Sequence, residues 1–270
     1  MLDGPQSHVL DELRDAISLA SAWHRAFGNA VFETALATFV VNEAHPCIWS
    51  ANHVSRVRAS TSPEIEAVLA EMESRFAHCR HRVVFTDEFT PPAFVARLSF
   101  AGYREQTPVI QMALLEELTP TTSADVTLRP VGRESDWQRL RGLVEADFNE
   151  GLRAGRKSMP PEVVSGLFEG YKRKRQVAQF FIAEAGEFPC AYGSAVECPN
   201  KIGLLEDFFT LPSFRQRGIA STLLGQCVGR LRERGCRSVF IGALATESAK
   251  HLYAELGFTP LMISREWVKE

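Results

Sequence analysis

Apolar positions in the first part of the chain follow two different spacings. Leu10, Leu13, Ile17 and Ala20 recur at three- and four-residue steps, which predicts a helix over 7–27 with one buried face. Shorter apolar stretches at 35–41 and 47–51 predict strands. Ser62, Pro63 and Glu64 read as a helix start. A hydroxyl can cap there, and proline's missing N–H has no helical partner to lose. Ile65, Val68, Leu69 and Met72 continue that helix on one face. Residues 82–86 read as a strand, 91–99 as a short helix ending near Gly102, and 109–114 as a closing strand. The order α-β-α-β-α-β predicts a mixed α/β unit.

A second unit begins with a strand at 126–130, stopped by Pro130. Helices are predicted over 135–149 and 161–174. Three strands follow at 177–185, 190–197 and 202–210. Gly186-Glu187 and Pro199-Asn200 separate them, as in antiparallel hairpins. Ala220, Leu223, Leu224, Cys227, Val228 and Leu231 mark one face of a helix over 218–234, with Gly235 as its C-terminal stop. A strand at 238–244, a helix at 247–256 and strands at 258–262 and 264–268 complete the chain. Small polar residues and Pro120 interrupt the periodicity at 118–125. The expected organisation is therefore a first domain over 1–118, a linker at 119–125 and a second domain over 126–270. A long-range echo links the halves, because 94–103 and 250–258 both run from a helix into Gly-aromatic and then a strand.

Composition narrows the class. Of 270 residues, 45% are hydrophobic and 23% charged, ordinary globular usage that supports a sizeable core. The formal charge, 30 − 33 = −3, argues against nucleic-acid binding through bulk positive charge. No apolar run approaches the roughly 18–20 residues that span a bilayer. The first residues lack the basic patch and apolar segment of a secretory signal. The six cysteines are scattered without a CxxC pair, which predicts reduced, mostly buried thiols and a cytoplasmic protein. His8, His45, His53, His78 and His81 show no metal-binding spacing, so no metal is expected.

Chemistry concentrates at 205–220. A strand runs into Leu211, Pro212, Ser213 and Phe214, then Arg215, Gln216, Arg217, Gly218, Ile219 and Ala220, then a long helix. Gly218 permits a conformation and a close approach that a side chain blocks. The first turn of the helix presents unpaired N–H groups at its positive end, which bind phosphate without a lysine. Arg215 and Arg217 add positive charge beside it. Neither GxxxxGK[ST] nor GxGxxG occurs.

Arg215-x-x-Gly218-x-Ala220 resembles the [Q/R]-x-x-G-x-[G/A] signature of the GNAT superfamily of N-acetyltransferases. The flanking strand 205–212 resembles that family's fourth strand. Thr246, Ala249, Leu252, Tyr253, Gly257 and Phe258 resemble its last helix and the strand after it. The likeness covers 126–268, just over half the chain, and departs from the family at Thr246, where asparagine is usual. The resemblance implies a mixed, mostly antiparallel central sheet flanked by helices, and acetyl-CoA as co-substrate. It implies that the main chain of Phe208, Phe209 and Thr210 holds pantetheine, with Thr246 as a further contact. The main chain of Arg215, Gln216, Arg217, Gly218, Ile219 and Ala220 would hold the pyrophosphate.

Acetyl transfer from a thioester to an amine needs three things: a base for the amine proton, a donor for the developing oxyanion and an acid for the leaving thiolate. The resemblance points to Tyr253 as the acid and a strand N–H near Phe208 as the oxyanion donor. Glu206 is the candidate base. It lies two residues before Phe208 on the same strand, so the two share a face and Asp207 turns to the other side; Glu197 is a weaker choice. The basic run Lys172, Arg173, Lys174 and Arg175 suits a helix C-terminus. The acceptor is an unidentified primary amine, and the protein is expected to be a monomer or homodimer. The alternatives are a non-catalytic acyl-CoA sensor and an acyltransferase using a longer acyl-CoA. The first half lacks a glycine-rich anion turn. It resembles the catalytically silent half of two-domain members of the superfamily.

Overall fold

A computed structural model describes residues 5–119, 125–153 and 160–270. The predicted linker falls mostly on 120–124, outside the described residues. In chain order the elements are α1 (Pro5–Ala26), β1 (Ala30–Glu33), β2 (Thr38–Val41), β3 (His53–Ser55), α2 (Ser62–Arg75), β4 (Arg82–Thr86), α3 (Pro92–Phe100), β5 (Arg104–Glu105) and β6 (Val109–Leu114). They continue with β7 (Thr127–Pro130), α4 (Glu134–Arg153), α5 (Pro161–Lys174), β8 (Ala178–Ala185), β9 (Phe188–Cys198), β10 (Ile202–Thr210), α6 (Ile219–Glu233), β11 (Ser238–Leu244), α7 (Ala249–Glu255) and β12 (Phe258–Lys269). The fold is mixed α/β, as the pattern predicts, with mostly antiparallel strand pairs, as the resemblance implies.

Three predicted strands change. Residues 49–51 form a single 3-10 turn, and the strand comes later, at β3. The two strands predicted at 258–262 and 264–268 are one continuous strand, β12.

The chain divides into two compact units. The first comprises Met1–Gln111, Ala243–Lys250 and Leu261–Glu270; the second comprises Met112–Gly242 and His251–Pro260. The end of β12 therefore groups with the N-terminal residues. Arg265, Trp267 and Lys269 pair with Thr86, Val84 and Arg82 of β4 in antiparallel register. Packing explains the allegiance. Trp267 is buried among Phe39, Val54, Met72, Phe76 and Phe94, and its indole N–H donates to Thr86 Oγ1 at 3.1 Å. Burying a side chain of that size is worth about 3 kcal/mol.

Within the first unit, β1, β2 and β3 form an antiparallel meander, and α2 carries the chain from β3 to the parallel strand β4. The second unit repeats the plan. Its strands β7 to β10 pair antiparallel in sequence, and α6 carries the chain to the parallel strand β11. The echo seen in sequence occupies equivalent places: α3 leads through Gly102 to β5, and α7 leads through Gly257 to β12. In the second unit, Leu223, Leu224, Cys227, Val228 and Leu231 bury one face of α6. The buried Glu184 of β8 binds Arg129 of β7 at 3.1 Å and also Arg139 of α4, fastening the outer strand and a helix to the sheet.

Candidate functional site

The site grows from a fork in the second unit. Strands β10 and β11 run parallel and pair from Ile202 with Ser238 to Leu205 with Ile241, where the register ends. Glu206, Asp207, Phe208, Phe209 and Thr210 thus continue without a partner in β11. On the other side, the ladder with β9 is interrupted. Glu206 pairs with Ser194 and Phe209 with Tyr192, so Asp207 and Phe208 stand opposite Gly193 alone. This is a β-bulge, and Asp207 adopts φ 61° within it, a left-handed conformation that aspartate tolerates better than most residues. A Cβ on Gly193 would meet the Phe208 ring at 2.6 Å, so glycine there makes room for the bulge.

The bulge corrects the alternation argument. Regular period-two geometry does not hold across 206–209, so a shared face for Glu206 and Phe208 cannot be deduced from spacing. The Glu206 main-chain oxygen accepts from Ser194 Oγ at 3.0 Å, and its side chain is half-buried.

Beyond Thr210 the chain turns through Pro212–Phe214 into the predicted cradle. Gln216 and Gly218 both have left-handed φ, 59° and 74°. Gly218 is the N-cap of α6, and no side chain caps that end. The first bond to its carbonyl comes from Thr222 N–H at 3.0 Å. The N–H groups of Ile219, Ala220 and Ser221 therefore open the helix without intrahelical acceptors. Arg215, Gln216, Arg217 and Gly218 are exposed. The arginines divide in role. Arg215 donates to Thr210 O at 2.9 Å and to Glu150 of α4 at 2.6 Å, so its charge is already committed. Arg217 stacks over the Phe214 ring at 5.2 Å.

Beneath the bulge lie groups that sequence reasoning missed. Tyr171 of α5 donates to Asp207 Oδ1 at 2.8 Å, and Tyr192 of β9 donates to Asp147 of α4 at 3.0 Å. Burial raises the Asp207 pKa, opposed by nearby Lys174 and the Tyr171 bond. Burial, then the adjacent carboxylate, holds each tyrosine hydroxyl well above its usual range. The two carboxylates come from elements far apart in sequence, so spacing could not reveal them. The one local hint was Gly193 in a strand, which often marks a bulge.

Tyr253 is buried on α7, its ring 6.3 Å from Phe258. Thr246 is exposed in the turn after β11. The basic run sits at the end of α5, where Lys172 pairs with Glu134 at 3.0 Å. Five cysteines are buried free thiols, whereas Cys47 is exposed. Among the described residues, no helix is long and apolar enough to cross a membrane, and no three His, Cys, Asp or Glu side chains gather as metal ligands.

A strand fork followed by an uncapped helix N-terminus is the geometry that a comparison of families can test. The family model described as Acetyltransferase (GNAT) family matches residues 137–258. Those residues form a GNAT-family domain. Solved structures extend the likeness to both units. A GCN5-related N-acetyltransferase from Kribbella flavida is 12% identical, covering 94% of each chain, with a TM-score of 0.72. A functionally unknown conserved protein from Staphylococcus epidermidis ATCC 12228 is 12% identical, covering 90% of this chain and 95% of that one, with a TM-score of 0.69. A tandem GNAT protein from the clavulanic acid biosynthesis pathway is 11% identical, covering 98% of this chain and 96% of that one, with a TM-score of 0.62. At these identities the likeness is one of fold, and it spans both units. A search of curated proteins by sequence finds no match.

Proposed function

We propose that the GNAT domain transfers an acetyl group from acetyl-CoA to a primary amine by direct attack in a ternary complex. The observation that carries this reading is the uncapped start of α6 at Gly218, directly after a strand whose second half has no partner in β11. A strand edge offers main-chain groups to an extended amide ligand, and a bare helix N-terminus offers N–H groups to a diphosphate. Both features suit coenzyme A, whose thioester supplies the activated acyl group.

In this reading the main chain of Phe208, Phe209 and Thr210 binds pantetheine, with Thr246 as a further contact. The main chain of Arg215, Gln216, Arg217, Gly218, Ile219 and Ala220 binds the pyrophosphate. Glu206 takes the amine proton, directly or through water. The nitrogen forms its bond to the carbonyl carbon, the carbon–sulfur bond breaks, and Tyr253 returns a proton to the sulfur. A main-chain N–H near Phe208 holds the oxyanion.

The acceptor side favours a cationic amine. Asp147 and Asp207, each held by a tyrosine hydroxyl, bring two carboxylates toward the bulge, and Lys174 offsets part of that charge. The test is a thiol-release assay with acetyl-CoA over a panel of mono- and polyamines, beside calorimetric titration of CoA. Release with amines supports the transferase. Tight binding without release across the panel replaces it with the sensor. Faster release from longer acyl-CoAs replaces the acetyl donor.

A further inference from the structure

The first unit holds a polar cleft that the reading above does not use, and whose properties do not depend on that reading. Strands β3 and β4 run parallel but pair only at Val54 with Val84. Where they part, Ser55 and Arg56 line one wall of the cleft, Phe85 and Asp87 another, and Ser21 and Arg25 of α1 a third.

Three observations indicate what the cleft recognises. First, Arg56 is half-buried yet makes no hydrogen bond or ion pair with any described residue. Its backbone is left-handed, φ 52°, a conformation that costs a non-glycine residue energy and that clusters at ligand sites. Second, Ser55 Oγ is buried without a hydrogen-bond partner, a cost that a ligand atom would remove. Third, the one carboxylate in the wall is already saturated. Asp87 accepts from Ser18 Oγ at 2.5 Å, Phe89 N–H at 3.1 Å and Thr90 Oγ1 at 3.4 Å. Arg25 is held differently, its guanidinium 4.3 Å over the Phe85 ring. Glu266 also faces Arg25, and burial pushes its pKa up to about 6.

We propose that this cleft binds the carboxylate head of a small monoanionic ligand, with Arg56 as its ion-pair partner and Ser55 Oγ as a second donor. Charge and size select that class. Two guanidiniums and one carboxylate line the cleft, and Glu266 offsets Arg25, so Arg56 is the charge left to a ligand and suits a monoanion better than a phosphate dianion. The space between the walls is about 320 Å³, a figure that includes open solvent. Its enclosed part admits a group about the size of one water. One oxygen of a carboxylate fits there with the rest of the ligand in the open mouth, and a whole coenzyme does not.

The experiment titrates the full-length protein with acetate and propionate, exchanged against chloride at constant ionic strength, and follows the melting temperature and heat of binding. Parallel titrations use inorganic phosphate and CoA. Saturable carboxylate binding is expected, weakened about tenfold or more in Arg56→Gln and several-fold in Ser55→Ala. Arg56 has no partner to lose among the described residues, so Arg56→Gln should fold, and its CoA affinity should equal that of the parent. The proposal is overturned if the parent shows no saturable carboxylate binding, if Arg56→Gln binds as well as the parent, if phosphate binds more tightly than carboxylate, or if CoA displaces the carboxylate.

Discussion

The two units build the same strand-helix-strand crossover and finish its helix differently. In the second unit, α6 starts at Gly218, and no side chain satisfies its first N–H groups. In the first, α2 starts behind Thr61, and Glu64 reaches back to accept from Ser60 N–H at 2.9 Å and Thr61 N–H at 3.0 Å. Those bonds lower the Glu64 pKa and keep a carboxylate at the helix end, while Pro63 lacks an N–H altogether. One helix end is left bare and suits a diphosphate. The other is sealed by its own side chains and repels one. In the proposed reading the cap, not the fork, decides which helix end takes a diphosphate. The first unit's own cleft lies at its fork instead, and arginines line it.

The comparison can be tested, beginning with the largest effect. His53 of β3 is fully buried. Burial, then the neighbouring Arg25, lowers its pKa to about 3, while its Nδ1 lies 2.9 Å from Ser50 O. Unfolded, a histidine titrates near 6.5. As pH falls, the unfolded chain takes up its proton first. The first unit therefore keeps this contribution above about pH 6.5 and loses it progressively toward pH 3, by at most several kcal/mol at about 1.4 kcal/mol per pH unit. Asp207 acts with the opposite sign, because its raised pKa favours the fold as pH falls. Urea melts across this range, read by hydrogen exchange in each unit, should show the first unit weakening more; equal weakening would remove the distinction.

Gly218→Glu should reduce CoA affinity by about a hundredfold, or roughly 2.7 kcal/mol. It puts a carboxylate at the bare helix end and strains a φ of 74°. Calorimetry checks this, and parental affinity would show that the cradle does not hold the diphosphate. Tyr253→Phe should slow turnover by about a hundredfold, the lower range for a lost general acid, with CoA affinity unchanged. Unchanged turnover would take Tyr253 out of that role. The smallest effect belongs to the sealed helix. Thr61→Ala should cost about 1 kcal/mol of stability and leave CoA affinity untouched. A change in CoA affinity there would mean that the capped end also serves the coenzyme.

Local signals determined much of this protein. The apolar pattern placed strands β4, β6, β10 and β11 and helix α5 at their observed limits, because each lies between clear local stops. Gly218 at a strand-to-helix turn announced the uncapped start of α6, since a tight left-handed turn leaves a local mark in sequence. Tertiary structure decided the rest. Whether Arg215 is free or bound to Glu150 depends on where α4 packs. The bulge at Asp207 depends on the register with β9, and its tyrosine partner arrives from α5. The end of the last strand serves the first unit because Trp267 finds its core there. Spacing along a chain fixes what neighbours in sequence do, whereas charge pairing, register and burial are set by residues that only folding brings within reach.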